Sequence, residues 1–173
     1  MPGDAYLLDT CIASIALDAG SFQHLNVRKQ LASFDDSSTV WISAITIGEI
    51  EYGLGLYPWL DSGRSQSIRD GFAKYEVLHT DKHTGYYYGS IRAALFKQYA
   101  PRDARNKIRK GTRAEDLTDR TTSKTLGIQE NDLWIAALAV EYNIVLVTRD
   151  KMSRILEAAK DLHCYDRSLV LTL

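Results

Sequence analysis

Short apolar runs alternate with longer segments of helical spacing along nearly the whole chain, and this alternation limits the fold more than any other feature. Ala5-Tyr6-Leu7-Leu8 ends at Asp9-Thr10 and gives way to helix-like sequence from Cys11 to Ala19. Phe22, Leu25, Leu31 and Phe34 have the spacing of one helix face. After the turn cluster Asp35-Asp36-Ser37-Ser38, the run Val40-Trp41-Ile42-Ser43 reads as a second strand. A helix through Ile45, Ile47, Ile50 and Leu54 follows and must stop before Pro58. The pattern continues with a helix from Ser65 to Lys74, a strand Tyr75–His79 and a long helix from Asp81 to Tyr99. It resumes with a helix from Asn131 to Tyr142, a strand Ile144–Val147, a helix from Lys151 to Lys160 and a last strand around Cys164. Strands that are continuous apolar runs separated by helices predict a parallel sheet covered on both faces. The expected fold is therefore α/β: a three-layer α/β/α sandwich around a central parallel sheet of about five strands. In such sheets ligands bind beyond the carboxyl ends of the strands, near the point where strand order reverses.

A length of 173 residues suits one domain, 1–173, and no internal repeat is evident. The stretch 101–127 stands apart: eight basic residues face four acids, so it carries +4 while the rest of the chain carries −5. With few large apolar residues, it reads as an exposed, mobile excursion. Overall net charge is −1, so any surface for a polyanion has to be local. Cys11 and Cys164 have neither metal-ligand spacing nor the look of a disulfide framework. The start has no signal-peptide pattern, and no apolar run approaches the roughly 18 residues of a spanning helix. The expectation is a reduced, soluble, cytoplasmic protein without a membrane segment.

The strand ends carry acids. Asp9 follows the first strand, and Asp150 follows the fourth by way of Thr148 and Arg149. Asp132 starts the helix that feeds the fourth strand, which puts it on the same edge. Glu49 lies one to two helical turns past Ser43, the end of the second strand. Each acid alone is compatible with a commoner role: Asp9, Asp132 and Asp150 as helix caps or helix-start acids, Glu49 as a solvated glutamate. Four carboxylates on one rim would repel unless a cation neutralised them. Oxygen ligands without His or Cys suit Mg²⁺ or Mn²⁺. Ions held in this way can clamp a phosphate and activate water, so the expected chemistry is phosphodiester hydrolysis.

Four motifs then carry a resemblance. They are Leu7-Leu8-Asp9-Thr10, the run from Ile42 through Glu49 to Gly53, the run from Asn131-Asp132 to Ala139, and Val147-Thr148-Arg149-Asp150. In order and spacing the chain resembles the PIN-domain ribonucleases, and among them the VapC-type toxins of toxin–antitoxin pairs. That resemblance implies that Asp9, Glu49, Asp132 and Asp150 bind Mg²⁺ or Mn²⁺, with Thr148 the hydroxyl residue that supports the fourth acid and Thr10 matching the residue after the first. It implies an RNA substrate cut to a 5′-phosphate and 3′-hydroxyl, a homodimer, and an antitoxin whose C-terminal segment blocks the site. The alternative is a PIN-like module that binds RNA or protein without cutting. Cys11 departs from the Asn or Ser of many relatives and reads as a small buried residue. Segment 101–127 is longer than the usual connection. Its Arg105, Lys107, Arg109 and Lys110, with Arg149 elsewhere, are candidate RNA contacts, a solvated loop being the equal alternative.

Other features carry less. The histidines 24, 79, 83 and 163 have no zinc or hydrolase spacing. Tyr86-Tyr87-Tyr88 cannot share one helix face, so some of them pack, although tyrosines of this kind can stack bases. Trp41, Trp59 and Trp134 read as packing residues. Glu51 points away from Glu49 on its helix, and Glu130 is more often a solvated acid than an auxiliary ligand.

Overall fold

The computed structural model describes residues 4–57, 61–149 and 152–160, together with the backbone of 168–170. The chain divides into two compact units. The first takes in the chain up to His79, the return segment from Ile144 and the last strand. The second comprises Thr80–Asn143 and the helix that follows Met152.

The first unit holds the sheet. Its strands are β1 (Ala5–Leu8), β2 (Thr39–Ser43), β3 (Glu76–Leu78), β4 (Val145–Thr148) and β5 (Ser168–Val170). All pair in parallel in the order β3-β2-β1-β4-β5, with Leu7 opposite both Trp41 and Leu146. The predicted α/β class with a parallel sheet is what the structure has. β5 begins beyond Cys164, which lies outside the described residues together with Trp59, His163 and Asp150. Successive strands move outward from β1 on one side, and the chain then returns to its other side. Strand order therefore reverses between β1 and β4.

Helices α1 (Thr10–Leu17), α2 (His24–Leu31), α3 (Ala44–Leu56) and α4 (Ser62–Gly71) belong to this unit, with a 3₁₀ turn at Phe72–Lys74. Leu8, Ile12, Ala16, Val27, Ile42, Ile50, Ile68 and Val147 form its core. The predicted apolar face of residues 22–34 holds at Leu31 and Phe34, which pack against this core, and is corrected at its start. Phe22 and Leu25 are 94% and 81% exposed, whereas Val27 is the buried anchor of α2. Phe34 lies past the helix and stacks on Tyr6 at 4.0 Å. Helix α2 is short and rich in polar residues, so one valine and its flanking packing suffice to seat it.

The second unit packs α5 (Lys82–Tyr99), α6 (Glu130–Glu141) and α7 (Ser153–Lys160) together. Asp81 caps α5 by accepting from His83 and Thr84 N–H groups, and Thr84 returns the bond to the Asp81 amide. Helix α6 is buried from Leu133 to Val140 except at Trp134. Trp134 instead stacks on Tyr88 at 3.9 Å. Of the tyrosine triplet, then, Tyr88 packs while Tyr86 is exposed. No helix of the described residues is long and apolar enough to cross a membrane.

Segment 101–127 is mostly exposed, but it is built rather than loose. Two hairpin loops are closed by antiparallel bridges, Arg102 to Ile108 and Thr118 to Thr125. Between them, Ala114 and Leu117 are fully buried and pin the segment down. Asn106 and Ser123 turn the two loops in the left-handed region, at φ 60° and 57°.

Candidate functional site

The carboxyl edge of the sheet is where the first unit gathers polar groups. Asp9 leaves β1 and caps α1, its Oδ1 accepting from the Ile12 amide at 2.8 Å. Its Oδ2 accepts from the Thr148 hydroxyl, at the end of β4. The Asp9 amide donates to the Val147 carbonyl at 3.0 Å, so main chain and side chain both tie the two strand ends together. Asp9 is 2% exposed and Thr148 fully buried. The pair stands at the point where strand order reverses, the position that favours ligand binding in open parallel sheets.

Glu49 joins from α3. The Thr10 hydroxyl, one residue past Asp9, donates to Glu49 Oε2. Glu51, two residues on, is spent elsewhere: Arg69 grips both its oxygens at 2.8–3.1 Å and holds the carboxyl below its ordinary range. The structure thus separates the two glutamates, which strand-edge reasoning could not. A mostly apolar cavity of about 370 Å³ opens beside Glu49, lined by Ser14, Ile50, Gly53, Leu54, Tyr57 and Ile68 among others.

Ser43 and Thr46 were missed by the sequence reading. Both are fully buried at the carboxyl end of β2, where Ser43 caps α3 through the Thr46 amide at 2.9 Å and the two hydroxyls meet at 2.9 Å. A serine directly between a strand and a helix was the available signal.

Asp132 is placed in the second unit, at the third position of α6. Its Oδ2 accepts from the Gln129 amide at 2.8 Å, closing a capping box, and it is half-buried. Glu130, two residues before it, accepts from the Tyr88 phenol and lies 3.1 Å from Arg92 Nε. Burial and that hydrogen bond push the Tyr88 hydroxyl up to about 12. Arg149 is exposed and donates to Gln23 Oε1 at 3.0 Å. Cys11 is half-buried rather than buried.

A family model described as the PIN domain matches residues 6–160, which spans both units and every motif named above. The chain belongs to the PIN-domain family. Solved structures share the fold. A chain in the structure of VapBC2 from Rickettsia felis bound to a promoter DNA fragment is 22% identical, with a TM-score of 0.63 and 97% and 99% of the two chains covered. One in VapBC-1 from nontypeable Haemophilus influenzae is 18% identical at 0.59, covering 96% and 97%. One in DNA-bound VapBC from Salmonella typhimurium is 24% identical at 0.56, covering 96% and 98%. No curated protein sequence matches the chain.

Within this PIN domain the candidate ligands Asp9, Glu49 and Asp132 are all carboxylates. Hard oxygen donors of this kind fit Mg²⁺ or Mn²⁺. Among the described residues, no group of three or more His, Cys, Asp or Glu side chains comes together as a metal site. What the first unit does bring together is the pair Asp9 and Glu49, joined through Thr10 and braced by Thr148.

Proposed function

We propose that this PIN domain is a metal-dependent endoribonuclease and the VapC-type toxin of a toxin–antitoxin pair. The observation that carries the reading is the buried Asp9 held by Thr148 at the reversal of strand order. A carboxylate sealed there, with both oxygens positioned by donors, is an investment that a plain helix cap does not need. Family membership supports the nuclease class, and the shared fold with VapBC complexes supports the toxin reading.

In this reading Asp9, Glu49, Asp132 and Asp150 hold Mg²⁺ or Mn²⁺. When bound, the ion supplies charge neutralisation at the scissile phosphate and a more acidic attacking water. The chain's own part is positioning. The Ile12 amide and the Thr148 hydroxyl fix the plane of the Asp9 carboxylate. Thr10 fixes Glu49, and the Gln129 amide fixes Asp132. The product carries a 5′-phosphate and a 3′-hydroxyl. An antitoxin segment covers the site, and the working state is a cytoplasmic homodimer.

The test is cleavage of single-stranded RNA by the purified full chain in Mg²⁺ or Mn²⁺, with Asp9→Asn and Asp132→Asn beside it. Asn keeps the capping geometry of both positions, so both variants stay folded by circular dichroism while activity falls by about 10²–10³-fold or more. Cleavage that survives both changes would falsify the assignment. The second reading, a PIN module that binds without cutting, draws on the ordinary capping bond Asp132 makes to Gln129. Titration with Mn²⁺ separates the two: the enzyme takes up the ion and Asp9→Asn weakens uptake, whereas the binding module shows neither.

A further inference from the structure

The segment 101–127 combines a net charge of +4 with an unusual use of its acids. Asp103 Oδ1 accepts from the amides of Arg105 and Lys107 at 2.8 and 2.9 Å, closing the first hairpin. Asp119 Oδ1 accepts from the amides of Thr121 and Thr122 at 2.9 and 3.0 Å, closing the second. Asp116 accepts from the Arg113 amide at 2.8 Å, and Glu115 from the Glu130 amide at 3.3 Å. All four acids are thus turned onto main-chain N–H groups. The cations are left to solvent: Arg105, Lys107, Arg109 and Lys110 are exposed, and among the described residues none of them has an ion-pair partner.

The segment is also moored. Arg102 donates to the Lys97 and Asn106 carbonyls at 2.9 and 2.8 Å, fixing the first hairpin to the end of α5. The Glu115 bond fixes the middle of the segment to the first residue of α6, two positions before Asp132. A charge patch on a closed, anchored hairpin loses little conformational freedom when it binds, which a solvated loop would. Arginine and lysine without internal partners are suited to successive phosphates of a polyanion, and each phosphate neutralised releases counterions.

We infer that the hairpin of residues 101–110 is a phosphate-gripping arm that holds the backbone of single-stranded RNA, independently of sequence, at the end of α5. The inference rests on the ribonuclease reading for its choice of RNA, and it adds a binding surface separate from the carboxylates.

The test uses the full chain and a fluorescent single-stranded RNA of mixed sequence, with binding measured in EDTA at several salt concentrations. The quadruple variant Arg105→Ala, Lys107→Ala, Arg109→Ala and Lys110→Ala is compared with one in which Arg28, Lys29, Lys74 and Lys82 are changed to Ala, which removes the same charge elsewhere. At about 0.7 in salt slope per phosphate, the arm variant should flatten the slope by about 2–3 and weaken binding at least tenfold in low salt, and the control variant should do neither. Equal effects of the two variants, or no RNA binding by the parent, would overturn the arm. So would a loss confined to an acidic polypeptide such as polyglutamate, which would assign the surface to a protein partner. Cleavage in Mn²⁺ is read separately. A parent that cuts while the arm variant binds and cuts unchanged sinks the arm alone; a parent that binds through the arm without cutting sinks the nuclease reading alone.

Discussion

The carboxyl edge of the sheet and the hairpins of 101–127 both place aspartates among hydrogen-bond donors, yet they use them in opposite ways. At the sheet edge, Asp9 is buried and its oxygens meet an amide and the hydroxyl of a distant strand, 139 positions away. In the hairpins, Asp103 and Asp119 meet amides two to four residues on, and Asp119 turns its other oxygen to Arg154. The first arrangement fixes the carboxylate; the second fixes the loop. One builds an acid into the fold at the cost of dehydrating it, and the other consumes acids locally so that basic side chains dominate the surface. What sets Asp9 apart is burial together with a donor from a second strand end, not hydrogen bonding as such.

Glutamate offers the sharpest way to break this distinction. Glu49 takes its donor from Thr10, 39 positions away, whereas Glu51 is held by Arg69 on the protein surface. Glu49→Gln is expected to lower RNA cleavage by about 10²–10³-fold with little change in thermal stability. Glu51→Gln, which loses only an exposed ion pair, should leave cleavage and melting temperature nearly unchanged. Equal activity of the two variants would show that the bond from Thr10 does not mark the working acid.

Thr148 gives the next effect in size. Thr148→Val keeps the shape and suits a strand, but removes the donor to Asp9 Oδ2. Cleavage should fall by roughly 10–100-fold, as for other supports of a metal ligand, with a stability loss of about 1–3 kcal/mol. Thr148→Ser, which keeps the hydroxyl, should recover most of the cleavage. Recovery of stability without recovery of rate would make Thr148 a packing residue only.

These contrasts also show which parts of the molecule were legible in the sequence. β1, β2 and β4 are continuous apolar runs, so pattern alone found them. The helix face proposed through Phe22, Leu25, Leu31 and Phe34 held at the last two and failed at the first two, because spacing does not say whether anything lies opposite; the buried residue of α2 is Val27. Asp9 was legible because a strand end and a helix start coincide there. The family resemblance pointed to Thr148 as a support of the fourth acid, Asp150; its bond to Asp9 was not legible, since a side-chain bond between strand ends leaves no local pattern. The same holds for Glu49 against Glu51. The turns of segment 101–127 were not legible for a related reason: they are closed by aspartates accepting amides a few residues on, which composition reports merely as polar.

The smallest expected effect tests the hairpins directly. The amides of Thr122 and Thr121 hold the Asp119 carboxyl below its ordinary value of 3.8, with Arg154 adding to the shift from 3.1 Å. A depressed folded value means that the charged carboxylate is what closes the loop. Its contribution is complete above 3.8 and is lost as pH falls through the lower folded value. Amide proton shifts and exchange of Thr121 and Thr122, followed by NMR from neutral pH downward, should therefore hold steady to about pH 4 and change only below it. In Asp119→Asn, whose neutral amide still accepts a hydrogen bond, the same signals should lose that pH response while the core helices are unaffected. A midpoint at or above 3.8 in the parent would mean that the loop amides do not favour the charged acid, and the hairpins would then owe their shape to the antiparallel bridges alone.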